Sequence, residues 1–166
     1  MSNIKINYVI PVAFWKKEQF DFKDLTLKAA IFALNLTKVF SYINEAEFTI
    51  NLSDDSELRS LNKEFMGKDY PTNVLSFPAN EVNALQPDGY SLLESYIGDI
   101  AISFSRIKEE ASEQGKEFKN HYAHMVVHAI LHLVGYDHQI ESEANLMESL
   151  EIQALKALGI DNPYEI

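Results

Sequence analysis

The feature that most constrains the fold is an apolar stretch in the last third of the chain, in which histidines recur at helical spacing. The stretch from Lys116 to Val134 is predicted to be one helix, and it is apolar almost all round near its end. A helix of this kind must be buried. His128 and His132 stand four residues apart on it. Positions i and i+4 of a helix lie on one face, roughly 5–6 Å apart at Cβ, so the two imidazoles are predicted to converge.

This pair is predicted to bind a metal ion together with a third histidine. Gly135 can adopt the left-handed conformation that ends a helix, so that the chain turns and His138 comes back toward the pair. Three protein ligands leave one position of a tetrahedral ion free for water, which is typical of a catalytic site. Ordinary core histidines are the alternative, but packing alone rarely places three of a chain's five histidines within eleven residues.

Composition limits the ligands and the partners. The 166 residues include no cysteine, so a metal must be held by nitrogen and oxygen ligands. The net charge is −11, which argues against indiscriminate nucleic-acid binding because phosphate affinity usually comes from clustered Lys and Arg. No segment is long and apolar enough to span a membrane, and no signal peptide is visible. We expect a single domain, residues 1–166, with no membrane association.

Hydrophobic periodicity predicts nine elements in the order β-α-β-α-β-β-α-α-α. Strands are expected near residues 4–8 (closed by Pro11), 47–52, 74–77 and 96–102. Helices are expected near residues 24–42, 54–65, 105–114, 116–134 and 141–158. This mixture favours an α+β fold, with a small mixed four-stranded sheet packed with about five helices. The metal site is expected at the end of a central buried helix.

Metal-assisted hydrolysis is the reaction class that such a site favours. An ion on three neutral imidazoles lowers the pKa of a bound water and polarises an oxygen of the substrate. The peptidase motif H-E-x-x-H requires a glutamate after the first histidine, and this chain has Ala129 there. Phosphodiester cleavage is therefore better supported than peptide cleavage, because the ion supplies positive charge that the acidic chain lacks.

The residues around the three histidines carry less specific expectations. Asp137 either accepts a hydrogen bond from a ligand histidine or caps the following turn. His124 can ligate, contact the substrate or be packed, and a site-lining role is favoured. His121 is expected at the surface or rim. A solvated face of the last helix is expected to carry Glu143, Glu148 and Glu151.

Several stretches of the sequence form a pattern when taken together. The first is His128-x-x-x-His132-Leu133-x-Gly135-Tyr136-Asp137-His138. The second is Leu61-Asn62 followed by Gly67-Lys68-Asp69-Tyr70-Pro71-Thr72-Asn73-Val74-Leu75-Ser76-Phe77-Pro78. Further matches are Gly98-Asp99-Ile100, His121-Tyr122-Ala123-His124-Met125-Val126-Val127 and the tail from Leu158-Gly159 to Pro163-Tyr164. This combination resembles the bacterial YbeY endoribonuclease family, closely over residues 61–164 and mainly by element order before them.

The resemblance implies a single-strand-specific endoribonuclease that acts through one Zn²⁺ and its water, held by His128, His132 and His138. Histidine ligands also suit Ni, Cu or Fe. It further implies maturation of the 3′ end of 16S ribosomal RNA, ribosome quality control, association with the small ribosomal subunit and a cytoplasmic location. No DNA substrate is expected. The residues expected around the metal or the substrate are His124, Asp137, Lys68, Asn73 and Ser76.

Two residues depart from the family pattern. Ala129 replaces a usual glycine, which is a mild change on a helix. Met66 stands where the family usually has an arginine that grips the RNA phosphate, and methionine cannot donate a bidentate hydrogen bond. Lys68 or Lys63 can supply a positive charge in place of that arginine, but a lysine does not reproduce the bidentate geometry of a guanidinium. The alternatives are therefore a ribosome-biogenesis factor that mainly binds, or a metallohydrolase of another substrate, such as a peptide or a small phosphoester.

Overall fold

The computed structural model describes residues 3–10 and 21–165, and the elements found there follow the predicted order. The strands are β1 (Ile4–Val9), β2 (Ala46–Ser53), β3 (Val74–Pro78) and β4 (Tyr96–Ser103). The helices are α1 (Phe22–Asn35), α2 (Asp55–Met66), α3 (Phe104–Gln114), α4 (Phe118–Leu133) and α5 (Glu141–Ala157), with a short 3-10 helix (Val39–Ser41) after α1. Pro11, predicted to close the first strand, lies outside the described residues.

The strands form one mixed sheet in the order β1-β2-β4-β3. β1 and β4 both run parallel to β2, whereas β3 runs antiparallel to β4 at one edge. Along the central strand β2, Phe48, Ile50 and Leu52 alternate with less buried residues and are themselves fully buried. This is the period of two that predicted the strand. The expected α+β fold with a mixed four-stranded sheet is confirmed.

Helix α4 lies at the centre of the helical layer. It packs against α1, α3, α5 and the edge strand β3. Tyr122, Val126 and Ile130 are fully buried, as an almost wholly apolar circumference requires. The prediction of a central buried helix is therefore confirmed. None of the helices in the described part of the chain has the length and apolarity needed to cross a bilayer.

The first helix is shorter than predicted. The pattern indicated a helix to residue 42, but α1 ends at Asn35. The hydroxyl of Thr37 donates to the carbonyl of Leu34 at 2.6 Å and accepts from the backbone N–H of Val39 at 3.3 Å. A threonine side chain that bonds locally in this way offers the backbone an alternative to the helical ladder. The apolar residues that follow continue in the 3-10 helix.

A glycine holds the end of α4 against the sheet. Gly98 in β4 has φ +143, and a Cβ there would lie 2.3 Å from the carbonyl oxygen of Phe77 and 2.8 Å from Cδ2 of Leu133. Only glycine fits this close approach. The last turn of α4, which carries His132, is thereby fixed beside the β3–β4 edge of the sheet.

Candidate metal centre

Three histidines come together at the C-terminal end of α4. His128 and His132 lie one turn apart on the same face of the helix, with ring centroids 4.7 Å apart. Immediately after the helix, Gly135 has φ +96, a conformation that glycine adopts without strain and that turns the chain. The ring centroid of His138 then lies 5.4 Å from that of His128 and 5.0 Å from that of His132. The predicted convergence of the three imidazoles is confirmed.

The arrangement fits a divalent transition metal. One ring nitrogen from each histidine lies within 4.8 Å of the other two, so the three can hold one ion. Burial, together with the rings of His128 and His138, lowers the pKa of His132 to about 4. Its imidazole is therefore neutral at neutral pH, as a metal ligand must be. These three residues, His128, His132 and His138, are called the trio. His138 is exposed and the other two are half-buried, so one side of the trio opens to solvent.

A buried carboxylate lies behind the trio. Glu151 on α5 accepts hydrogen bonds from Nδ1 of His128 at 2.8 Å and from Nε2 of His124 at 2.6 Å. The hydroxyl of Tyr164 in the C-terminal tail donates to the same carboxylate. Burial alone would raise the pKa of Glu151, but the hydrogen bonds from the two histidines outweigh it and hold that pKa below its ordinary value. The carboxylate therefore stays ionised.

The prediction that Glu151 belongs to a solvated face is wrong, since its exposed fraction is 1%. Glu143 and Glu148 are half-buried. The sequence did contain a signal that Glu151, unlike Glu143 and Glu148, is fully buried. Met147, Glu151 and Leu155 are spaced four residues apart on α5, so Glu151 lies on the same face as two buried residues. A glutamate on the apolar stripe of a helix needs buried partners, and the histidines of α4 provide them.

A second buried pair involves His121. The sequence predicted it at the surface or the rim, and the surface position is wrong. His121 is 4% exposed, and its Nε2 lies 2.8 Å from Oε1 of Glu110 on α3. Nδ2 of Asn73 donates to the same carboxylate at 3.1 Å. Burial would raise the pKa of Glu110, but these two hydrogen bonds lower it below the ordinary value. The cluster joins α3, α4 and the start of β3.

His128 lines several cavities, two of which matter for the site. The first, called the metal cleft here, has a volume of about 520 Å³ and contains all three histidines of the trio. The second, the tail cavity, has a volume of about 720 Å³ and is bounded by α3, α4 and the C-terminal tail. The residues that line both are Asn73, Val74 and His128. His124 lines the tail cavity rather than the metal cleft and lies outside the trio.

The other predicted site residues occupy different positions. Ser76 lines the metal cleft, and its hydroxyl donates to the carbonyl of Ala129 at 3.3 Å. Asp137 also lines the cleft, and its carboxylate accepts from the backbone N–H of His138 at 2.7 Å. It therefore fixes the turn that carries His138. Lys68 is exposed on the loop after α2 and is absent from the described lining of the cleft.

The metal cleft has little positive charge of its own. Met66 is 46% exposed and lines the cleft, and no lysine or arginine does so among the residues the structure describes. Arg59 and Lys63, both on α2, pair with Asp69 at N–O distances of 2.8 and 4.0 Å. An anionic substrate in the cleft would therefore depend on a bound ion for local positive charge.

Comparison with known proteins gives consistent matches over nearly the whole chain. A family model described as Endoribonuclease YbeY matches residues 14–159. A curated protein named Endoribonuclease YbeY from Francisella tularensis subsp. holarctica is 38% identical over 164 residues, which is 99% of this chain and 94% of that protein. Another of the same name, from Rhodopseudomonas palustris, is 48% identical over 120 residues, 72% of this chain and 68% of that protein.

A solved structure has the same fold. The solution structure of a Thermotoga maritima protein aligns with a TM-score of 0.56, covers 93% of this chain and 91% of that chain, and is 23% identical in sequence. The matched range, residues 14–159, spans the positions of all three histidines and of the buried Glu151. On these matches, the chain belongs to the YbeY endoribonuclease family.

Proposed function

We propose that this chain is a metal-dependent endoribonuclease with His128, His132 and His138 as the ligands of one Zn²⁺ or a similar ion. The observation that carries the proposal is the convergence of three imidazole nitrogens within 4.8 Å beside an open cleft. Family membership supports RNA as the substrate, since the curated relatives are named endoribonucleases. Nitrogen donors alone suit zinc and its first-row neighbours.

The residues of the metal cleft have separate roles in holding the ion, shaping the site and contacting the substrate. A divalent ion held by the trio would neutralise charge on a phosphoryl oxygen and increase the acidity of a water. His132 is kept neutral by burial, so it is ready to ligate at neutral pH. The carboxylate of Asp137 fixes the backbone at His138. Asn73 and Ser76 line the same cleft. The amide of Asn73 is held by Glu110 and the backbone N–H of Val74, whereas the hydroxyl of Ser76, which donates to Ala129, can still accept a hydrogen bond from a ribose hydroxyl.

The substrate proposed within this class is single-stranded RNA, namely the region near the 3′ end of 16S ribosomal RNA. The small ribosomal subunit is the proposed partner and the cytoplasm the proposed location. The sequence motifs shared with the family support these finer assignments. The net charge of −11 is compatible with them because a bound ion supplies positive charge at the cleft.

The site argues against peptide hydrolysis. In the H-E-x-x-H peptidases, a glutamate directly after the first histidine acts as general base. Ala129 occupies this position and is fully buried. Glu151, the carboxylate in contact with His128, is 1% exposed and engaged by three hydrogen-bond donors. It is therefore not free to accept a proton from a water in the cleft.

A second candidate function is a ribosome-biogenesis factor that acts mainly by binding. Met66 in the metal cleft favours it, because the position lacks the charge that would hold a phosphate for cleavage. This alternative predicts co-sedimentation with small subunits that survives loss of the metal ligands. Loss of co-sedimentation at moderate salt in a ligand variant would contradict it.

The direct test compares wild-type protein with His138→Ala and with the control Gln139→Ala, whose residue is the exposed neighbour. Each protein is loaded with zinc, analysed for bound metal and incubated with a single-stranded RNA oligonucleotide. We expect about one zinc per wild-type chain. Cleavage by His138→Ala should fall by more than the roughly 10- to 100-fold loss typical of changes around a metal site. Gln139→Ala should behave as wild type.

Equal cleavage by wild-type protein and His138→Ala would identify a contaminating nuclease and overturn the proposed activity. A double-stranded RNA of the same sequence serves as the second substrate, and equal cleavage of both would contradict single-strand specificity. Casein and a model phosphodiester, tested in parallel, separate nuclease activity from a general metallohydrolase.

A further inference from the structure

The carboxylate of Glu151 uses its two oxygens for different partners. Oε2 accepts from Nδ1 of His128 at 2.8 Å, and the described part of the chain supplies it with no other donor. Oε1 accepts from Nε2 of His124 at 2.6 Å and from the hydroxyl of Tyr164. One buried side chain therefore connects a member of the trio to a histidine outside it and to the C-terminal tail.

These contacts determine which ring nitrogen carries the proton in each histidine. An ionised carboxylate is an acceptor only, so the ring nitrogen facing it must carry the hydrogen. His128 is then protonated at Nδ1, and its Nε2 keeps a free lone pair. His124 is protonated at Nε2. The two neighbouring histidines, one turn apart on α4, are thus held in opposite tautomers by the same carboxylate.

We infer that Glu151 is the positioning residue of the metal centre, because it holds His128 in the tautomer and orientation that leave Nε2 free for the ion. The inference rests on the proposed metal site and adds a residue to it. A histidine ligand whose second nitrogen donates to a carboxylate is fixed in orientation and becomes more basic toward the metal. The bond is strengthened because Glu151 is 1% exposed and therefore lies in a medium of low dielectric constant.

Asp137 is the competing candidate for this role, since it is a carboxylate beside the trio. Its oxygen is engaged by the backbone N–H of His138, at 2.7 Å. That contact shapes the turn and leaves the tautomer of every ring undetermined. Glu151, by contrast, contacts ring nitrogens directly. The tail strengthens this arrangement, because Nζ of Lys116 bonds to the carbonyl of Pro163 at 2.8 Å and holds the segment that carries Tyr164.

The first test uses the unmodified protein without metal. Histidine nitrogens are labelled with ¹⁵N, and long-range proton–nitrogen correlation spectra at neutral pH report the tautomer of each ring. We expect His128 as the Nδ1–H tautomer and His124 as the Nε2–H tautomer. Finding His128 protonated at Nε2 would overturn the inference. This measurement requires no variant and remains decisive if a substitution prevents folding.

The second test measures zinc affinity by competition with a chelator for wild-type protein, Glu151→Gln and Glu148→Gln. Glu148 lies on the same helix and lines a cavity shared with His128 and His138, so its substitution removes an equal charge near the ion. We expect Glu151→Gln to weaken zinc binding by about 10- to 100-fold. Glu148→Gln should change it by less than about threefold. Equal affinities for the two variants would overturn the inference.

These readouts are independent of the proposed activity. Tautomers and zinc affinities are measured without RNA, so a wild-type protein that fails to cleave RNA would refute the nuclease and leave the role of Glu151 intact. Conversely, a nuclease with the wrong His128 tautomer would keep its proposed function and lose this positioning residue.

Discussion

Carboxylates divide the five histidines, which lie within eighteen residues of one another, into chemically different groups. His121 is bonded to Glu110, and His124 and His128 share Glu151. His132 and His138 stand at the open end of α4, beside Asp137, with no carboxylate bonded to either ring among the contacts the structure describes. Helical spacing alone would make the four on α4 equivalent. Their partners distinguish them: His121 pairs with Glu110 on α3, His124 and His128 pair with Glu151 on α5, and His132 pairs with neither among the described contacts.

The Glu110–His121 pair should stabilise the fold in a pH-dependent manner. The folded state holds the pKa of Glu110 below the ordinary value of 4.5. The unfolded chain therefore binds the proton first as the pH falls. The stabilisation is fully present above that ordinary value and is lost as the pH drops below it. Arg106 on α3 adds a favourable charge, and Glu113 lines the same cavity.

We predict that Glu110→Gln lowers the free energy of unfolding by about 1.5–3 kcal/mol at neutral pH, the value typical of a hydrogen bond to a charged group. The difference from wild type should shrink as the pH falls below 4.5. Urea unfolding of the metal-free proteins at several pH values measures it. Glu113→Gln, an exposed neighbour on α3, removes the same charge and should show no such dependence. A pH-independent deficit in Glu110→Gln would contradict the stabilisation assigned to the ionised Glu110 carboxylate.

At the scale of elements, the turn after α4 sets where the third histidine lies. The carbonyl of Gly135 accepts from the backbone N–H of Ala84 at 3.2 Å, which ties the turn to the long loop between β3 and β4. A Cβ on Gly135 would meet the carbonyl oxygen of Val82 at 2.6 Å and the nitrogen of Ala84 at 2.8 Å. Both are backbone atoms that cannot move aside without shifting the loop.

We therefore predict that Gly135→Ala destabilises the protein by about 2 kcal/mol or more, from the positive φ and the backbone clash together. Because His138 would be displaced from the trio, zinc affinity should fall by at least about 10-fold. Gly159→Ala is the matched control, since Gly159 has φ +77 but no atom within 4 Å of an added Cβ. It should cost about 1 kcal/mol, from the left-handed backbone alone, and leave zinc affinity unchanged. Chemical denaturation and chelator competition measure both.

A loss of stability in Gly135→Ala without loss of zinc affinity would contradict this assignment. It would mean that the position of His138 does not depend on the turn, and that another contact holds the third ligand.

The elements and the trio could be predicted because their signals are local in sequence. The spacing of His128 and His132, followed by Gly135, specifies a helix and a turn that bring His138 back. Period-two and period-3.6 patterns specify the strands and helices. The end of α1 was misplaced because one hydroxyl, on Thr37, outweighed an apolar pattern that continued past it.

The carboxylates that contact the histidines, Glu110 and Glu151, could not be predicted in the same way, because their contacts join elements that are distant in sequence. Glu151 is 23 positions from His128 in sequence, and Glu110 meets His121 only because α3 packs on α4. The sheet order, with β4 inserted between β2 and β3, likewise depends on long-range pairing. Patterns within one helix reveal which face of that helix is buried. They do not reveal which polar side chain of the neighbouring helix contacts that face.

At the scale of the whole molecule, an acidic protein is proposed to bind a polyanion. The net charge of −11 repels RNA at long range, although salt screens this term beyond about 10 Å at 0.1 M. Close to the surface, the metal cleft offers no lysine or arginine among its described lining residues. Binding should therefore depend on the ion and on neutral polar groups, with few counterions released from the RNA.

We predict that the zinc-loaded protein binds single-stranded RNA with a weak salt dependence, equivalent to about one or two neutralised phosphates. Each neutralised phosphate contributes a slope of about −0.7 in log K against log salt for a single strand. Met66→Arg places a guanidinium in the cleft and should make the slope steeper by about 0.7. Its affinity should rise about fivefold at low salt, from one added ion pair of about 1 kcal/mol. Fluorescence anisotropy over a salt series measures both quantities.

Gln153→Arg, on an exposed position of α5, adds the same charge outside the described lining of the cleft. It should leave the slope unchanged, because only a cation beside a bound phosphate releases a counterion. Equal steepening in the two variants would mean that net charge rather than the cleft governs binding. A wild-type slope equivalent to five or more phosphates, on the order of −3.5, would mean that RNA binds mainly to a basic surface elsewhere. In that case the metal cleft would be only the place of cleavage.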